Sequence, residues 1–73
     1  MMIVKYPTMI NNHKCTAIVA LDPCGYEQMQ IVTKIYSGKK HFGDHPEFVF
    51  RKIVPVDTYI NDAISEWELL KNT

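Results

Sequence analysis

The sequence predicts an α+β domain, with a small antiparallel sheet of three or four strands covered by one C-terminal helix. Two segments flanking Asp22-Pro23-Cys24-Gly25 alternate apolar and other residues with the period of a half-buried strand. A stretch near the C-terminus repeats its apolar residues at three- and four-residue steps instead, giving one helical stripe. The 73 residues contain no linker, repeat or low-complexity tract, so the chain reads as a single domain over 1–73.

Met2 to Tyr6 is a short apolar run, read as an edge strand that ends at Pro7. Asn11-Asn12 marks a turn, and Lys14 to Leu21 forms the next strand around Ile18 and Val19. In Asp22-Pro23-Cys24-Gly25, proline presets φ for the first turn position and glycine accepts the left-handed conformation at the last. These residues fit a three-residue hairpin loop with a bulge glycine. Such a loop pairs Asp22 with Tyr26, Val19 with Met29, Ala17 with Ile31 and Cys15 with Thr33. It gathers Cys15, Ala17, Val19, Leu21, Met29, Ile31, Thr33 and Ile35 on one apolar face, and leaves Thr16, Ile18, Ala20, Gln28, Gln30 and Val32 on the other. The same register sets Lys14 opposite Lys34, an unfavourable like-charge pair.

Ser37 to Pro46 holds two glycines, a proline and three charged residues, the composition of a loop. Glu47 to Val54 returns to strand character with neither face wholly apolar, and Pro55 ends it. Asp57 or Thr58 then caps a helix running to about Lys71. Its stripe is Ile60, Ala63, Ile64, Trp67 and Leu70, with Asp62, Glu66 and Glu68 off it.

Charge sums to zero but is sorted along the chain. Lys5 and Lys14 balance Asp22 and Glu27 in the first third. The middle carries Lys34, Lys39, Lys40, Arg51 and Lys52 against Asp44 and Glu47. From Val56 onward, Asp57, Asp62, Glu66 and Glu68 face Lys71. Opposed potentials of this kind steer encounters and select partners.

Reaction chemistry finds little purchase. Cys15, Cys24, His13, His41 and His45 are zinc-ligand types, but the hairpin separates the cysteines by ~20 Å at the rise of a strand. That distance excludes a shared tetrahedral metal and a disulfide between them. His41 and His45 share the four-step spacing of a helical pair, yet Gly43 and Pro46 oppose a helix there. Ser37 and Ser65 lack a nucleophile-elbow context. No catalytic residue, metal or cofactor is therefore expected, and the chain reads as non-enzymatic. The N-terminus does not read as a signal peptide. No apolar run approaches the ~20 residues of a membrane helix. A cytoplasmic protein with no membrane partner is the expectation.

The basic middle remains. Lys39, Lys40, His41, Phe42, Arg51 and Lys52 form the candidate partner-binding set, with Phe42 as an apolar anchor. Cations interleaved with aromatics also suit single-stranded nucleic acid, where bases stack on rings and phosphates meet lysines. Zero net charge and a single arginine argue against strong phosphate binding or base reading. In size, single-domain layout and lack of a catalytic signature, the chain resembles the small early proteins that phages make to redirect host machinery. The resemblance covers overall character only. It implies a regulator acting through contact with a larger protein or complex, such as host RNA polymerase.

Overall fold

The computed structural model describes residues 2–38 and 43–71. Four strands, β1 (Met2–Ile10), β2 (His13–Pro23), β3 (Gln28–Ser37) and β4 (Phe48–Pro55), precede one helix, α1 (Ile60–Lys71). The strands form a meander in the order β1-β2-β3-β4, each antiparallel to its neighbour. No helix among the described residues is long and apolar enough to cross a membrane.

The first hairpin turns at Asn11 and Asn12, both at positive φ (50° and 64°). Asparagine tolerates the left-handed region better than most side chains, and a two-residue loop with both φ positive matches the twist of the paired strands. Strand β1 runs through Pro7 to Ile10, beyond the predicted end at Tyr6. Proline is accommodated because β1 is an edge strand. Counting back along the ladder from the closing pair Ile10 and His13, the even residues of β1 bond to β2. Pro7 falls at an outward position, where no N–H is required.

The second hairpin departs from the predicted register. Asp22 lies opposite Gln30, Val19 opposite Thr33, Ala17 opposite Ile35 and Cys15 opposite Ser37. The Cys24 N–H donates to the Gln28 carbonyl at 3.1 Å, so the loop is Gly25-Tyr26-Glu27 rather than Pro23-Cys24-Gly25. Lys34 now faces Ile18, while Lys14 faces Met9 on β1. The like-charge pair is thereby avoided.

Because the slip is an even number of residues, each side chain keeps its face. The core therefore contains the predicted residues. Ala17, Val19, Leu21, Ile31, Ile35 and Val54 meet Ala63 and Trp67 of α1, with Tyr6, Ile10, Cys15, Met29, Ile60 and Ile64 packed around them. The helix begins later than predicted, at Ile60, with the Tyr59 carbonyl accepting from the Asp62 and Ala63 N–H groups. Leu70 closes the predicted stripe but stays 41% exposed.

Candidate functional site

Alternation along each strand divides the sheet into two faces. The helix-covered face takes the even residues of β1 and β4 and the odd residues of β2 and β3. The other face carries no secondary-structure element of the described residues. Across it, cross-strand rows run Lys5–Ile18–Lys34–Val49 and Ile3–Ala20–Val32–Arg51. Ile18, Val32 and Tyr36 are at most 6% exposed there, although no helix covers them. Lys5 and Lys34 flank Ile18 on the ladder, and lysine stems can cover apolar neighbours.

Ile3, Met9, Val49 and Ile53 surround this floor and are exposed. The open face thus presents an apolar floor and rim among Lys5, Lys14, Lys34 and Arg51, with Asp22 as the carboxylate of its strand residues. Half of that cationic set comes from the first third of the chain, which balances its own charges in sequence. The signal lay in strand pairing, not in local composition.

The predicted binding set is divided. Lys39, Lys40, His41 and Phe42 lie outside the described residues. Arg51 and Lys52 are successive residues of β4 and point to opposite faces. Arg51 joins the open face. Lys52 joins the helix side, where its Nζ donates to Glu66 Oε2 at 2.5 Å. The acidic helix is partly neutralised from within, because Lys71 Nζ likewise reaches Glu68 Oε2 at 2.6 Å.

Aromatic groups fall on the helix side. Phe50 packs against Trp67 with ring centroids 4.9 Å apart, and Phe48 lies 6.4 Å from Phe50. They border a cleft of about 310 Å³ lined by Ile10, Phe48, Phe50, Trp67, Leu70 and Lys71. On the open face, Tyr36 is the aromatic side chain among the described strand residues, and it is 2% exposed. The open-face cations and these rings are therefore separated by the thickness of the sheet, while Lys52 and Lys71 on the helix side are paired with Glu66 and Glu68.

Both cysteines are free thiols. Cys15 sits near the start of β2 and Cys24 just past its end, where it closes the loop Gly25-Tyr26-Glu27. No group of three or more His, Cys, Asp or Glu side chains that could hold a metal occurs among the described residues. No protein-family model, curated protein or solved structure matches this chain.

Proposed function

We propose that this chain is a non-enzymatic protein-binding regulator that docks through the open face of its sheet onto an acidic, partly apolar surface of a larger protein or complex. One observation carries the reading. The open face combines exposed Ile3, Met9, Val49 and Ile53 with Lys5, Lys14, Lys34 and Arg51. Apolar rim residues supply contact area, and the cations select a partner of opposite potential and speed association. Host RNA polymerase is the first candidate, on the chain's likeness in size and layout to phage regulators.

Single-stranded nucleic acid is the second reading. The separation of Phe48 and Phe50 from the open-face cations weighs against it, because stacking and phosphate contact need one groove.

Affinity capture from a bacterial host lysate, read by mass spectrometry, tests the proposal. The wild-type protein should recover a discrete complex that a folded Lys5→Glu/Lys14→Glu variant does not. Recovery of nothing above background overturns the proposal. Fluorescence anisotropy with oligonucleotides separates the two readings. Tight binding that falls steeply and linearly with log salt favours nucleic acid instead.

A further inference from the structure

We infer that β4 is a docking edge for an extended segment of a protein partner, which adds to the sheet as a fifth strand and alternates carboxylate with apolar side chains. The occupant rests on reading the chain as a protein-binding module; the availability of the edge rests on the fold alone. The sheet has two edges, and they differ. On β1, Pro7 occupies an outward position and removes a donor from the middle of the strand. On β4, the Val56 N–H donates to the Glu27 carbonyl at 3.1 Å, which fixes the phase of the ladder. Even residues of β4 bond to β3, so the N–H and C=O groups of Val49, Arg51 and Ile53 point away from the sheet.

The side chains flanking those groups are also exposed. Phe48, Val49, Phe50 and Ile53 are between 38% and 56% exposed. The two sides of the edge differ in chemistry. Arg51 stands between Val49 and Ile53 on the open face, whereas Phe48 and Phe50 line the helix side beside a Lys52 already paired with Glu66. An added strand sends successive side chains to alternate sides. Carboxylates would then meet Arg51, and the apolar residues between them would meet Phe48 and Phe50.

The test uses a short capped peptide alternating valine and glutamate, titrated by calorimetry against the full chain. Val49→Pro and Ile53→Pro each remove an outward donor without touching the β3 ladder, as Pro7 does on the opposite edge. Circular dichroism should show both variants folded. The wild type should bind the peptide, each proline variant should bind about tenfold more weakly or worse, and a valine–lysine peptide should not bind. Absence of binding to wild type, or equal binding by the folded proline variants, overturns the inference. Sedimentation supplies a further outcome. A wild-type dimer that the prolines dissociate would assign the edge to a second copy and overturn the peptide occupant. Loss of lysate capture in Lys5→Glu/Lys14→Glu with capture intact in the proline variants would sink the edge while sparing the open-face proposal.

Discussion

The Tyr6 hydroxyl donates to Glu68 Oε1 at 3.0 Å, joining the edge strand to the helix across 62 positions of sequence. Lys71 completes the clasp by donating to Thr8 Oγ1 at 2.6 Å while pairing with Glu68. Burial, and then the adjacent Glu68 carboxylate, hold the Tyr6 phenol above its ordinary range. Tyr6→Phe keeps the ring and removes the donor, so it should lower stability by about 1 kcal/mol at neutral pH. The sign of the pH effect follows from the raised value. The contribution is complete below the unfolded phenol pKa of ~10 and is lost as pH rises from there towards the folded value. Denaturant titrations at neutral pH and above pH ~10 should show wild type losing more stability than Tyr6→Phe. Equal losses in the two proteins would contradict this assignment.

Trp67 is 1% exposed and is the chain's sole tryptophan. Its emission should be blue-shifted in the native protein and move red in one cooperative step on unfolding. Trp67→Ala should remove ~3–5 kcal/mol, enough to unfold a domain of this size. Phe50→Ala should be milder, because Phe50 is already 38% exposed. Circular dichroism and thermal melts order the two variants. The reverse order would place the core elsewhere.

The fold was legible where pattern is local and ambiguous where it depends on a partner segment. The alternation in β2 and β3 and the stripe of α1 reveal which side chains are buried, and a slip of even length cannot change that. The slip itself was hidden. Asp22-Pro23-Cys24-Gly25 carries the usual loop residues, yet Pro23 remains at the end of β2 opposite Met29. The surface was less legible still. Lys5 and Lys14 look neutralised in sequence but stand on the same face as Lys34 and Arg51 once the meander forms. Arg51 and Lys52 are neighbours in sequence and are separated by the sheet.

That separation gives a functional contrast. Lys52 and Glu66 form a half-exposed pair, so Lys52→Ala should change stability by less than ~1 kcal/mol, and by less at high salt. It should leave partner capture intact, whereas Arg51→Ala should weaken capture. Parallel pull-downs and melts of the two variants check both halves. Equal loss of capture would mean that the partner spans both faces.

The Asn11-Asn12 turn offers a stabilising change. Asn12 is at φ 64°, and Asn-Gly is the preferred pair for a two-residue turn with both φ positive. Asn12→Gly should raise stability by a few tenths of a kcal/mol. Asn12→Ala should lower it by about 1 kcal/mol, since an L side chain with no local hydrogen bond is disfavoured there. Urea midpoints at constant slope measure both.

The second hairpin also requires positive φ in its loop, and two substitutions there test the register directly. Gly25 has φ 73° and Glu27 has φ 56°, with Tyr26 between them 94% exposed at the tip. A methyl group added at Gly25 would meet Gln28 Oε1 at 3.6 Å, an ordinary contact. The cost of Gly25→Ala is therefore that of the backbone conformation, about 1 kcal/mol. Glu27 already bears such a cost, so Glu27→Gly should relieve it. Part of the gain is returned as added freedom of the unfolded chain. The net should be stabilising by about 0.5 kcal/mol. A loop of Pro23-Cys24-Gly25 would instead place Glu27 inside β3, where glycine weakens a strand. Stabilisation by Glu27→Gly therefore supports the register that sets Lys34 beside Ile18, and destabilisation would return Lys34 to its place opposite Lys14.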